Sequence, residues 1–89
     1  MSVFLLDGKD MTSREVAFQV IQKAMALPEY FGHNLDALYD CLSELPKEAN
    51  IVIVNETRLR FNLEEYGEKI LKCFRDAADE CGFTLLEKD

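Results

Sequence analysis

Ile51-Val52-Ile53-Val54 is a run of four β-branched residues near the middle of an 89-residue chain. Two heavy atoms on each Cβ favour extended backbone, so the run reads as a strand. It does not alternate with polar residues, which predicts burial on both faces, as in a parallel sheet. Outward from it lie two more short apolar runs. Val3-Phe4-Leu5-Leu6 is closed by the turn signal Asp7-Gly8, and Phe83-Thr84-Leu85-Leu86 stands near the end of the chain. Each is read as a further strand.

The segments between the strands carry helical periodicity. Thr12-Ser13-Arg14-Glu15 has the T-x-x-E form of a capping box, which predicts a helix start there. Val16, Val20 and Ala24 follow at i+4 spacing, with Ala17 and Ile21 beside them, and Pro28 ends the pattern. Residues 29–33 form a loop. Asn34 is a good N-cap for a second helix, whose Leu35, Leu38 and Leu42 share one side before Pro46 stops it. A short helix is expected over 57–65, broken near Gly67. A longer one follows, carrying Ile70, Leu71, Phe74, Ala77, Ala78 and Cys81, with Gly82 as its natural terminator. The order is β-α-α-β-α-α-β. Helical crossovers between strands make them parallel and the connections right-handed. The prediction is a small two-layer α/β fold, a three-stranded parallel sheet packed with about four helices, in one domain over residues 1–89.

Composition narrows the function. Hydrophobic residues make up 48%, enough for a packed core. The formal net charge is −7, from 17 acids against 10 bases. That balance disfavours direct nucleic-acid binding and an anionic membrane surface, both of which need Lys and Arg. It attracts a basic partner. The cysteines, Cys41, Cys73 and Cys81, are odd in number and contain no CxxC pair, which points to reduced thiols. The first residues have no basic n-region and no long apolar run, so a cytoplasmic protein is expected.

The charge is unevenly placed. From Ala24 through Pro46 there is no Lys or Arg, while Glu29, Asp36, Asp40, Glu44 and the sole histidine, His33, all lie there. Asp36, Asp40 and Glu44 fall at i, i+4 and i+8, an acidic stripe flanked by Tyr39 and Ser43. Like charges at that spacing weaken a helix by about 0.2–0.5 kcal/mol per pair. Glu44 also stands at the unfavourable end of the helix dipole. A stripe that works against its own helix is a candidate binding surface. Tyr30 and Phe31, beside Gly32, add aromatics on the loop that feeds it; Phe31 by itself reads as a core plug. Other chemistries have weaker footing. Asp36, Asp40 and His33 could act as acid–base groups, but no nucleophile motif or phosphate loop accompanies them. The same residues with Glu44 could meet a metal, but no HxxxH, CxxC or calcium loop is present. No cofactor is implied.

The run Leu27-Pro28-Glu29-Tyr30-Phe31-Gly32-His33-Asn34-Leu35-Asp36-Ala37-Leu38-Tyr39-Asp40-Cys41-Leu42 resembles the barstar family, the intracellular inhibitors of barnase-type ribonucleases. The likeness is strong over about a fifth of the chain and looser elsewhere, in length, element order and the late Phe74-Arg75-Asp76. It implies a barstar-like fold with no enzymatic activity, a monomer when free, and a binding surface on the second helix and its preceding loop. An aspartate at the place of Asp40 would fill the nuclease's phosphate site. One at Asp36 would pair with other basic groups, Tyr30 would pack near the catalytic histidine, and Asp76 would make a peripheral ion pair. The partner-binding set is then Tyr30, Phe31, Gly32, His33, Asn34, Asp36, Tyr39, Asp40, Ser43, Glu44 and Asp76. The chain departs from the family pattern at Tyr39, where tryptophan is familiar, at His33, at Glu44, where a small residue is familiar, and at Asp76, where glutamate is. Cys41 matches a family cysteine, Cys81-Gly82 reverses the familiar order, and Cys73 is extra. The alternative is a binding or immunity protein on the same fold for a different basic protein or toxin, since an acidic face suits any basic cleft.

Overall fold

The computed structural model describes residues 2–89. Strand β1 (Val3–Asp7) leads through a 3-10 turn (Gly8–Asp10) to helix α1 (Arg14–Ala24) and then α2 (Leu35–Ser43). Strand β2 (Asn50–Val54) follows, then α3 (Glu56–Leu63), α4 (Glu65–Cys81) and β3 (Thr84–Glu87). The element order is the expected one. All strands are parallel, and β2 is central in the order β1-β2-β3. Consecutive parallel strands lie side by side because each helical pair carries the chain back along the sheet.

The sheet is covered more on one face than on the other. Leu6, Ile51 and Ile53 point inward and join Phe18, Ile21, Leu38, Leu42, Ile70, Leu71 and Phe74 in one buried core. In the opposite phase, the register aligns Leu5, Val52 and Leu86 across the three strands. Leu5 is 60% and Leu86 51% exposed, and Val52 is half-buried. The expected burial of β2 on both faces therefore does not hold. The apolar run is continuous in sequence, but its period of two survives in the packing, because the helices gather over the inner face.

Two local expectations shift. The N-cap of α1 is Ser13, whose hydroxyl accepts from the Val16 N–H at 3.2 Å, so the cap sits one residue after Thr12. The break between α3 and α4 falls at Glu64, at φ 55°, ψ −128°, and Gly67 lies within the first turns of α4. Gly67 serves close packing: a Cβ there would stand 3.1 Å from the Leu59 carbonyl oxygen of α3. Gly82 does terminate α4, at φ 88°, a conformation that favours glycine.

The cysteines are free; Cys73 is buried and Cys41 and Cys81 half-buried. Burial first, then the Glu44 and Asp40 carboxylates, pushes the Cys41 thiol up, and burial pushes Cys73 up to about 11. Both shifts favour the protonated thiol over the thiolate. Among the described residues no helix is long and apolar enough to cross a membrane.

Candidate functional site: the α2 face and its entry loop

The loop before α2 is built by backbone geometry and one side-chain anchor. After α1 the chain turns through Ala26, at φ 53°. The Phe31 N–H then donates to the Pro28 carbonyl at 2.9 Å, and the Asn34 N–H to the Gly32 carbonyl at 2.8 Å. From α1, Gln22 Nε2 donates to the Pro28 carbonyl at 2.8 Å, which leaves Gln22 Oε1 as an acceptor. His33 Nε2, 2.9 Å from that oxygen, must therefore donate. The His33 ring also stacks on Phe18 at 15° and lies 5.5 Å from the Phe31 ring. His33 thus ties the loop to α1. In this arrangement Nε2 is occupied by Gln22.

Phe31 is the one member of the predicted contact set that offers almost no surface. It is 6% exposed and packs on Phe18 as a core residue. Its neighbour Tyr30 is 89% exposed. Burying Phe31 anchors the loop and turns the adjacent side chain outward, so one aromatic holds the other in display. Asn34 closes the loop as the α2 N-cap, its Oδ1 accepting from the Ala37 N–H at 2.8 Å.

Helix α2 packs on α4 through Leu38 and Leu42, both fully buried. That fixes the opposite side. Asp36, Asp40, Ser43 and Glu44 are all exposed. Among the described residues no Lys, Arg or His forms an ion pair with Asp36, Asp40 or Glu44. Ser43 Oγ donates to the Asp40 carbonyl at 2.7 Å and is satisfied within its own helix. Asp40 and Glu44 stand with Tyr30, Phe31 and Gly32 around a groove of about 290 Å³, lined also by Leu27, Ala37 and Cys41.

The other end of the face meets α4. Asp36, Tyr39 and Asp76 surround a shallow depression together with Lys69 and Lys72. Tyr39 is half-buried, and its hydroxyl donates to Glu80 of α4. That bond, with some burial, raises the phenol to about 12, so it stays a donor. Asp76 accepts from Lys72 Nζ at 2.7 Å. Tyr30, Phe31, Gly32, Asp40 and Glu44 line the groove, Phe31 from its place in the core; Asp36, Tyr39 and Asp76 share the depression. His33 and Asn34 hold the loop, and Ser43 is bonded within α2.

Lys69, Lys72 and Glu80 were not singled out from the sequence. The Lys72–Asp76 spacing of i, i+4 could have signalled their pairing. Nothing local could have joined Tyr39 to Glu80, which lies on another helix. Among the described residues no group of His, Cys, Asp and Glu is arranged to hold a metal ion.

Comparison with known proteins places the chain in a family. A family model described as "Barstar (barnase inhibitor)" matches residues 1–87. Over 83 residues the chain is 31% identical to "Putative ribonuclease inhibitor YrdF" of Bacillus subtilis (strain 168), covering 90% of this chain and 89% of that protein.

Proposed function

The chain belongs to the barstar family, and from that premise we propose that it is an intracellular inhibitor that blocks the basic active site of a barnase-type ribonuclease. Residues 1–89 act as one domain without catalytic activity of their own. The single observation that carries this reading is the pairing of an outward Tyr30 with carboxylates that form no ion pair among the described residues. Tyr30 is 89% exposed, and Asp40 and Glu44 stand beside it across one groove.

The chemistry follows from the target. A ribonuclease cleft holds RNA phosphates with Lys, Arg and His, and is therefore electropositive. Carboxylates on a helix occupy phosphate positions without presenting a cleavable bond. Asp40 takes the central phosphate site, Asp36 meets neighbouring cations, and Tyr30 covers an apolar part of the cleft. Because α2 is capped by Asn34 and packed by Leu38 and Leu42, the carboxylates are positioned before encounter, and little ordering remains to be done on binding. The net charge of −7 speeds the approach of a basic partner.

The test is titration of the protein into a barnase-type ribonuclease assay, with Asp40→Ala in parallel. Stoichiometric loss of nuclease activity with the wild type, and much weaker loss with the variant, is the expected result. If neither inhibits, the partner is a different basic protein, and affinity capture from a cell extract on wild-type and Asp40→Ala baits identifies what the acidic face retains.

A further inference from the structure

The corner where α3, α4 and β3 meet holds a buried acid that the binding face does not use. Glu56 opens α3, and its side chain is only 6% exposed. Two arginines approach its Oε1: Arg60 Nη2 at 3.5 Å and Arg75 Nη2 at 3.8 Å. Arg60 Nη2 donates to that oxygen, and both arginines are shared with a second carboxylate. Arg75 is engaged by Glu87, with Nη2 at 2.7 Å and Nε at 2.9 and 3.1 Å. Arg60 is drawn to Glu68 of α4 through its Nε. Glu56 Oε2 is buried with no hydrogen-bond partner among the described residues. Arg75 Nη2, 2.7 Å from Glu87 Oε1 and 3.8 Å from Glu56 Oε1, draws the two carboxyl groups to one cation. Two ionised carboxylates brought together in this way repel, and neither has a hydrogen to give. One proton placed on Glu56 removes the repulsion and supplies the missing donor.

We propose that Glu56 holds a proton up to the edge of neutrality and donates a hydrogen bond to the ionised Glu87, making this corner a pH-sensitive clasp on the C-terminal strand. The clasp reaches the end of the chain by three further bonds. The Glu56 N–H donates to the Lys88 carbonyl at 3.3 Å, the Lys88 N–H donates to the Ile53 carbonyl at 2.8 Å, and Thr57 Oγ1 donates to Asp89 Oδ1 at 2.8 Å. The groups bearing on Glu56 are thus Arg60 on its own helix, Arg75 and Glu68 on α4, and Glu87 on β3.

Burial, then the contact with Glu87, pushes the Glu56 carboxyl up from 4.5 to about 7, while Arg75 holds Glu87 below its ordinary range. The two act in opposite pH windows. The raised Glu56 contributes stability that is complete below about 4.5 and is lost as pH rises through about 7. The depressed Glu87 contributes stability above its ordinary range that is lost only on acidification. Alkalinisation through neutrality therefore loosens the corner.

Carboxyl carbon NMR of the protein with ¹³C-labelled glutamate tests this directly. The Glu56 Cδ resonance is expected to titrate near 7; a midpoint near 4, where ordinary glutamates lie, overturns the proposal. Thermal unfolding gives the second readout. The wild-type Tm is expected to fall by several degrees between about pH 6 and 8.5. Glu56→Gln, which keeps a donor and cannot ionise, is expected to remove most of that fall. An unchanged pH slope in the variant overturns the clasp. If the variant does not fold, the carboxyl titration of the wild type still decides.

Discussion

The α2 face and the α3–α4–β3 corner each carry carboxylates, and they handle them in opposite ways. On α2, Asp36, Asp40 and Glu44 stand in solvent and form no ion pair among the described residues. At the corner, Glu68 and Glu87 close on Arg60 and Arg75, which also face the buried Glu56. Charges already matched within the fold have little left to offer a second molecule. Charges left unmatched on a rigid element cost their own helix some stability and are available to a partner. The contrast separates binding from holding, and it can be broken from either side.

The largest expected effect is on the open side. Asp40→Ala is expected to weaken partner binding by about 2–5 kcal/mol, a range in which close charge pairs of the barnase–barstar complex are themselves a measured precedent. Its unfolding free energy should move by less than about 0.5 kcal/mol, because Asp40 is exposed and its carboxylate is bonded to no side chain among the described residues. Calorimetric titration beside urea unfolding checks both. Equal losses in the two experiments would erase the distinction. Arg75→Ala is the mirror case. It strips Glu87 of its cation and exposes the Glu56 pair, so a destabilisation of about 1–3 kcal/mol is expected, reduced from the fully buried case because Arg75 is 42% exposed. Stopped-flow association of the still-folded variant should keep close to the wild-type rate.

Salt sharpens the comparison next. Raising ionic strength well past the physiological value should slow association about tenfold, since the α2 carboxylates act at a distance before contact. Melting temperature in the same buffers should change little, since the corner pairs are in contact. Asn34→Ala removes the cap that serves both roles, and about 1 kcal/mol of stability should go with it, accompanied by weaker binding as the loop loses its end point. The smallest effect has the opposite sign. Glu44→Ala relieves a like-charge pair with Asp40 at the negative end of the dipole, so stability should rise by about 0.2–0.5 kcal/mol while affinity falls. A loss of stability here would show that Glu44 has a local role the exposed position hides.

The sequence carried the fold far because its signals were local. Three apolar runs, Asn34 before a leucine period, and Gly82 after another each name an element by chemistry that acts within a few residues. It misread what depends on neighbours. The β2 run looked doubly buried, yet no run of β-branched residues says where four helices gather. The α3–α4 break was assigned to the glycine, while the chain bends at Glu64 and uses Gly67 for contact with Leu59. The acidic stripe was legible from spacing alone. The division of Tyr30 from Phe31, one out and one in, became visible only once Phe18 was in place to receive the ring. Glu56 gave no sign, since a glutamate after a strand is ordinary until Arg75 and Glu87 arrive from distant positions.

The parallel register has a kinetic consequence. Val3 pairs with Asn50, and Asn50 in turn with Thr84, so each strand contact closes a loop that contains two helices. Closing such loops costs entropy before any pairing repays it. Helices α3 and α4, joined directly at Glu64, have no comparable loop to close. The refolding barrier is therefore expected to lie at the docking of β1 and β3 on β2, with the helical segments already partly formed. Substitutions such as Ile53→Val should slow refolding, whereas changes on the outer side of α2 should leave the refolding rate alone.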